Sequence, residues 1–484
     1  MKPSDFLNQL PSVNELLDHP QVRSVTDRLN RSVVATQVRS YLDQLTEEAK
    51  RRAAGAEQAV SGVLPESMRE LVDRVSRLLT SGERWRLGAV INATGRLRGE
   101  PWASAPLAEA AVERIALTAS DFTTSSTVAD ESSLDANNAT TALCQATGSP
   151  AAVVLNSRLN ALWLSLASCS PSTGGEVVVA RHDLRTLDGG CRLLKVIEGA
   201  GLVPREVGAT DTVTLDDYQD VMGDATVAIL RVAADDPPAE SPNPITTQQL
   251  ATQQLATLAH QHNALLIEDL ASAPLLPLDG QQPHLAAAAD GLTAKPVSTI
   301  LHEGADLVLC RGDGLFGGPA CGVVLGTVNA TEQIRQTPLF AGSVVEAHVG
   351  AALAATVDLL TDQERFWFNV PVWSLLTSPL ENLQSRADRI AAQLSSSGAF
   401  RAVDILAQSC LEASPTGLPI RLPTVTIALT TATESSQALA ASLRNGEPAV
   451  WCRAENGRLL IDLRSVFPRQ DADLVEILLR KTPV

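Results

Sequence analysis

Short apolar runs alternate with helical segments between residues 86 and 335, and this alternation limits the possible folds more than any other feature of the chain. Strands are predicted at 89–93, 151–155, 176–180, 202–207, 226–232 and 264–267. Helices are predicted at 135–146, 157–167, 186–198, 215–221 and 246–262. This order is typical of a doubly wound, mostly parallel sheet, which binds ligands at the carboxyl ends of its strands.

A glycine-rich turn at residues 311–318 lies between two apolar runs, 304–309 and 323–325. Short apolar runs that flank tight glycines predict two buried strands joined by a turn that closely approaches another group. An ordinary tight hairpin accounts for the glycine content equally well. The turn, together with Asn156, Ser157 and Asp269 at predicted strand ends, is therefore a candidate ligand site.

The two ends of the chain differ from its middle. Residues 1–85 carry apolar residues at helical spacing and predict a separate helical domain, in which Ser12 caps a helix. Residues 336–484 predict an α+β domain. It has helices at 344–360, 378–395 and 471–479, a strand at 424–430, and a hairpin of 449–453 with 458–464. We therefore expect three domains: 1–85, 86–335 and 336–484.

The charge balance excludes most polyanionic partners from most of the surface. The chain has 38 Lys and Arg against 55 Asp and Glu, a net charge of −17. Residues 1–84 hold 12 of each (12 − 12 = 0), so only this part escapes the acidic repulsion. The 7 cysteines form no CxxC pair, which argues against a zinc site or a disulfide framework. No apolar run approaches the ~18 residues of a membrane span, so we expect a soluble, cytoplasmic protein.

Several colinear motifs are similar to those of one family. They lie at 10–17, 90–95, 105–111, 267–270, 303–308, 312–319 and 457–464. Through them the chain resembles bacterial selenocysteine synthase, L-seryl-tRNA(Sec) selenium transferase, nearly end to end. The resemblance implies an α/β, aspartate-aminotransferase-like (fold type I), mostly parallel sheet domain. An N-terminal helical domain and a C-terminal α+β domain would flank it, and the family's cofactor is pyridoxal phosphate (PLP).

The resemblance also shows which residue is missing. The family holds PLP through a Schiff-base lysine in a Ser-Gly-Asp-Lys-Leu-Leu-Gly-Gly-Pro string, and the matching position here is Gly314. The chain has five lysines, at positions 2, 50, 195, 295 and 481. Lys295 lies well upstream of the turn and Lys195 lies within a predicted helix, so neither is an obvious replacement.

Three basic features of the family are missing as well. Residues 99–104 lack the expected His and Arg, and acidic, Ser/Thr-rich sequence at 125–133 replaces a Gly/Arg-rich segment. Residues 336–345 lack an expected pair of arginines. Such guanidinium groups would hold anions such as selenophosphate or phosphate. The resemblance therefore implies that the family reaction has been lost.

Part of the cofactor site remains recognisable. By resemblance, Asp269 matches the acid that pairs with the pyridine nitrogen of PLP, although a strand-end Asp also caps turns. Asn156 and Ser157 match a phosphate-side loop at a helix start. Arg158 and Asn160 replace small residues there and would obstruct the cofactor. Gly312 and Asp313 are retained in the turn, where an Asp between two glycines is equally typical of a plain turn.

The expected role is therefore binding, assembly or regulation on an inherited scaffold without PLP turnover or a metal. The resemblance implies a homo-oligomer, at least a dimer, with tRNA contact through residues 1–85 or co-assembly with an active homologue. The alternative is an active enzyme of the same family that uses PLP, or its amine form, on another substrate. In that case His182, His302 or His348 would be the histidines near the pocket.

Overall fold

The computed structural model describes most of the chain after residue 87. The described residues are 11–20, 22–23, 34–36, 38–43, 45–46, 70–72, 74–75, 88–97, 102, 104–122, 138–171, 174–210, 212–233, 250–277, 295–362, 364–412, 420–431, 435–446 and 448–481. The predicted strand 89–93 and most predicted helices fall within these ranges. The acidic segment 125–133 and most of 99–104 lie outside them.

The chain divides into two compact units, 1–90 with 447–449, and 91–446 with 450–484. In the first unit, helix α1 (Val13–Asp18) begins as predicted with a capping box. Ser12 Oγ accepts from Glu15 N at 3.3 Å, and the Glu15 carboxylate accepts from Ser12 N at 2.7 Å. Buried apolar side chains from helical positions, among them Leu16, Val38 and Val75, form this unit's own core.

Two sheets are formed by the strands that the structure describes. The strands are β1 (Val90–Ala93), β2 (Ala151–Leu155), β3 (Gly175–Ala180), β4 (Leu202–Val207), β5 (Thr226–Val232), β6 (Leu265–Asp269), β7 (Leu307–Arg311), β8 (Gly322–Gly326), β9 (Phe400–Glu412), β10 (Ile420–Thr431), β11 (Ala449–Glu455) and β12 (Arg458–Asp462). One sheet has the order β2-β8-β7-β6-β5-β3-β4 and the other β1-β11-β12-β10-β9. In the first, β4, β3, β5, β6 and β7 pair in parallel, and β8 runs antiparallel to β7 and β2. This confirms the predicted mostly parallel sheet.

Helices connect and cover the strands of the second unit. They are α2 (Glu109–Ser120), α3 (Asn138–Thr147), α4 (Arg158–Ser168), α5 (Leu193–Gly199), α6 (Leu215–Gln219), α7 (Thr252–Gln261), α8 (Val297–His302), α9 (Val328–Arg335), α10 (Ala347–Thr361), α11 (Phe366–Asn369), α12 (Pro371–Leu376), α13 (Leu380–Ser396), α14 (Ser436–Arg444) and α15 (Asp471–Lys481). The strands β7 and β8 are apolar and buried, apart from the half-buried Arg311 at the end of β7, as expected for a sheet covered on both faces.

The structure corrects two predictions about this unit. The predicted strand 89–93 does not join the parallel sheet: β1 pairs with β11, and Ile91 and Ala93 pack in the core of the C-terminal sheet. The helix predicted at 186–198 begins only at Leu193. Gly189 and Gly190 have φ values of 69° and 81°, a conformation that an α-helix does not continue through. The hairpin β11–β12 and the long strand β10 agree with prediction.

Among the described residues, no helix is both long and apolar enough to cross a bilayer. Across the same residues, no group of three or more His, Cys, Asp or Glu could hold a metal ion.

Candidate functional site

The candidate site lies at the edge of the seven-stranded sheet where its parallel strands end. Val232, Asp269 and Leu309 form one row across β5, β6 and β7. The segments that leave the strands at this edge are 156–158 after β2, 181–185 after β3, 270–272 after β6 and 311–321 between β7 and β8. The topology therefore brings together the strand-end residues that the sequence analysis selected.

Asp269, the last residue of β6, is fully buried and paired. Arg158 Nε donates to its two carboxylate oxygens at 2.7 and 3.0 Å, and Ala271 N donates to Oδ1 at 3.1 Å. The side chains of Arg158 and Asp269 are 4% and 0% exposed. A buried carboxylate needs such donors because an unpaired charge is very costly away from water. The carboxylate is therefore neutralised by the chain itself.

Gly314, the position that the resemblance assigns to lysine, has no room for a side chain. An ideal Cβ built there lies 2.1 Å from Ser272 Oγ, 2.8 Å from its Cβ and 3.1 Å from its Cα. Ser272 is buried in turn, and its Oγ accepts from Leu315 N at 3.1 Å. Any residue other than glycine at this position requires Ser272 to move.

The other glycines of the turn are required by packing. A Cβ on Gly312 would lie 2.4 Å from Cys321 Sγ and 2.7 Å from Pro319 O. Gly317 has φ 70°, and Gly318 N donates to Gly312 O at 2.9 Å. Trp373 Nε1 donates to Leu315 O at 2.7 Å and fixes the turn against α12. The glycine-rich turn was predicted to approach another group closely, and that group is another part of the same chain.

Asp313 is also paired within the turn. Arg311 Nε donates to its Oδ1 at 2.9 Å, and Arg311 Nη2 donates to its Oδ2 at 3.0 Å. This two-point geometry is the strongest form of an arginine–carboxylate contact. The Asp313 side chain is only 4% exposed, whereas that of Arg311 is 26% exposed, so a buried carboxylate is paired with a half-buried guanidinium.

Asn156 and Ser157 lie at the start of α4 and are exposed. Ser157 Oγ accepts from Asn160 N at 3.2 Å, which caps the helix and satisfies one of its first N–H groups. Asn160 Nδ2 donates to Asn156 Oδ1 at 3.0 Å. Both predicted phosphate-side residues are thereby engaged in local hydrogen bonds of the helix start.

Of the three candidate histidines, only His182 follows a strand at this edge. His182 Nε2 lies 3.4 Å from Asp183 Oδ1, in the short turn after β3. His302 bonds through Nδ1 to Ser298 O in its own helix α8, and His348 is the second residue of α10. Burial raises the pKa of Cys321, which packs beside Gly312, to about 12, so that this thiol is not a ready nucleophile either.

Asp183 belongs to a buried charge cluster next to the site. Arg185 Nη2 lies 3.6 Å from Asp183 Oδ1, and Val232 N donates to its Oδ2 at 3.4 Å. Burial raises the pKa of Asp183, although His182, Arg185 and Arg231 act to lower it. Burial also lowers the pKa of Arg185. Both ionised groups therefore carry a desolvation cost at neutral pH.

Replacing Asp183 with asparagine is expected to change how stability depends on pH. The native state holds this proton more tightly than the unfolded chain does. The group's contribution is therefore full below its unfolded pKa of ~4 and is lost as pH rises through the native value. Asp183→Asn cannot ionise and so keeps the stability that wild type loses as pH rises. The difference in free energy of unfolding between variant and wild type should therefore grow in favour of the variant from pH 4 to pH 8.

Urea unfolding of both proteins at pH 4 and at pH 8 measures this difference. Asp404→Asn, at an exposed carboxylate, is the control, and parallel curves for wild type and Asp183→Asn would contradict the prediction.

The sequence alone predicts some of these residues and not others. It predicts Arg158 as an obstruction, and that guanidinium contacts Asp269. It does not predict Ser272, Arg311 or Arg185. Arg311 could have been found, since it stands where the resemblance expects the serine of the lysine string. Ser272 carries no such signal, because its importance depends on a contact 42 residues away along the chain, with Gly314.

Comparison with protein families and curated proteins gives consistent matches. A family model described as L-seryl-tRNA selenium transferase matches residues 90–467, and one described as selenocysteine synthase N terminal matches residues 7–45. The L-seryl-tRNA(Sec) selenium transferase of Carboxydothermus hydrogenoformans is 27% identical, covering 98% of this chain and 97% of its own. That of Hyphomonas neptunium is 28% identical, covering 97% of each.

Among solved structures, D-glucosaminate-6-phosphate ammonia-lyase aligns with a TM-score of 0.54 at 18% identity, covering 83% of this chain and 97% of that chain. At this identity the likeness concerns the fold alone. Together with the strand order and the antiparallel β8, it identifies an aspartate-aminotransferase-like (fold type I) domain, as the resemblance predicted.

Proposed function

This chain belongs to the L-seryl-tRNA selenium transferase family, and from that premise we propose that it has lost the PLP-dependent transferase reaction and serves in binding or assembly. The observation that carries the proposal is Gly314 packed on Ser272. A Cβ at 314 would lie 2.1 Å from Ser272 Oγ, so the position lacks both the reactive amine and the space for its side chain. Without a Schiff-base lysine, the family's covalent chemistry has no attachment point.

The remaining residues at this edge do not fit PLP. The carboxylate that would pair with the pyridine nitrogen is already bound by Arg158, and both are buried. The predicted phosphate-side residues Asn156 and Ser157 hydrogen-bond with Asn160.

The proposed binding role rests on two surfaces. Residues 7–45 match the selenocysteine synthase N-terminal model, and the segment 1–84 is neutral in a chain of net charge −17, which favours retained tRNA contact. Separately, Val112 and Leu117 on α2, and Phe122 just beyond it, are at least half exposed. These three side chains fall within one short stretch of the chain, and we propose this stretch as the contact for the second copy that the resemblance implies.

An assay with L-seryl-tRNA(Sec) tests both parts of the proposal in the same samples. We expect no selenocysteinyl product from selenophosphate, with or without added PLP, because the chain has no attachment point for the cofactor. We also expect a gel shift with the tRNA that weakens as the salt concentration is raised, because protein contacts to the RNA phosphates release counterions.

The Carboxydothermus hydrogenoformans relative serves as the positive control for turnover. PLP-dependent product from this chain would overturn the loss of activity and favour the alternative, an active enzyme using PLP or its amine form. A missing gel shift would remove tRNA from the proposal and leave protein assembly as the role.

A further inference from the structure

We propose that the Arg158 guanidinium takes the place at Asp269 that the protonated pyridine nitrogen of PLP would occupy. The Arg158–Asp269 pair would thereby prevent the cofactor from binding. The inference rests on the proposed loss of PLP chemistry and names what has replaced the cofactor. Asp269 is 0% exposed, and Arg158 Nε contacts both of its oxygens. A pyridinium N–H would need one of these same oxygens.

The substitution is effective because the guanidinium is attached to the chain next to the carboxylate. Arg158 is the first residue of α4, directly after Ser157 at the end of the β2 loop, so its position follows from the sheet itself. The guanidinium presents its N–H donors in a rigid planar fork, and its Nε already reaches both oxygens of Asp269. A free cofactor would have to displace a partner that is always present at the site.

The same pairing recurs along this edge of the sheet. Four carboxylates there each have an arginine nitrogen within 4 Å: Asp269 with Arg158 at 2.7 Å, Asp313 with Arg311 at 2.9 Å, Glu268 with Arg231 at 3.1 Å and Asp183 with Arg185 at 3.6 Å. Each of these four carboxylates thus has a positive partner within the chain and needs no ligand for its charge.

A double-mutant cycle in the full chain, without PLP, tests the pair. Arg158→Gln should raise the equilibrium constant for unfolding by roughly 10²- to 10³-fold, because it leaves the Asp269 carboxylate buried without a cation. Asp269→Asn should also destabilise, whereas the double variant should recover most of the loss, since neither charge remains. Arg453→Gln, at a partly exposed arginine on β11, is the control. Independent, additive losses would overturn the proposal.

Equilibrium dialysis with PLP itself provides the second readout. Wild type is expected to show no saturable binding. Arg158→Gln should bind PLP at least about tenfold more tightly than wild type, and Arg158→Gln/Asp269→Asn should lose that gain. If wild type remains free of PLP and Arg158→Gln gains nothing, this inference fails while the proposed loss of function stands. Saturable binding to wild type that depends on Asp269 would instead overturn both.

Discussion

Replacing Arg464 with alanine is expected to destabilise the chain by about 3–6 kcal/mol, the largest effect of any single substitution considered. The Arg464 residue is 4% exposed. Its Nε and Nη2 donate to Pro423 O, and its Nη1 donates to the carbonyls of Leu375, Leu376 and Ser378 at 3.1–3.2 Å. Alanine would leave four carbonyls without this donor, and those of Leu375 and Leu376 belong to buried residues, at ~1–3 kcal/mol for each buried carbonyl before water or relaxation compensates.

Arg458 offers a matched control in the same motif. It lies at the start of β12, its side chain is 45% exposed, and it contacts Asp404 at 3.5 Å. Such an exposed pair contributes about 0–1 kcal/mol, so Arg458→Ala should leave urea unfolding nearly unchanged. Equal losses for the two variants would contradict a structural role for Arg464. If the prediction holds, the end of the family motif 457–464 joins α12 to β10 and β12 rather than binding a ligand.

Restoring lysine at position 314 is expected to destabilise the protein without restoring PLP binding. The new Cβ would overlap Ser272, and overpacking of this kind costs about 1–3 kcal/mol. Ser272→Gly removes the Oγ and Cβ that cause the two shortest contacts, so Gly314→Lys/Ser272→Gly should regain stability. Ser272→Ala, which keeps the Cβ, should regain less. Only the addition of Arg158→Gln should yield a band near ~420 nm that borohydride fixes.

Gly223→Lys is the control for this series. A Cβ at Gly223 meets nothing within 4 Å, so the same substitution should be tolerated there. A stable Gly314→Lys variant that binds PLP without further substitutions would show that the side chains of Ser272 and Arg158 move aside at little cost. The proposal that these residues block the cofactor site would then be wrong.

Much of the parallel sheet can be predicted from the local sequence pattern. The strands predicted at 151–155, 202–207 and 226–232 agree with β2, β4 and β5 to the residue. The strand with which β1 pairs cannot be predicted in this way. Its strand character is local, but its place beside β11 depends on pairing with residues more than 350 positions away.

The site was only partly readable for a similar reason. The absence of lysine at Gly314 is a fact of the sequence, as is the arginine at 158 among residues that are small in the family. What fills the space is a matter of three-dimensional contact. Neither the approach of Ser272 to Gly314 nor the direction of the Arg158 guanidinium toward Asp269 follows from spacing along the chain.

The absorbance spectrum of the wild-type chain with PLP, recorded before and after borohydride, tests the central claim most directly. A filled site without its lysine predicts no band near ~420 nm and no pyridoxyl mass added to the protein after reduction. A borohydride-fixed adduct, mapped by peptide mass to Lys195 or Lys295, would contradict the claim and show that another lysine has taken over the role.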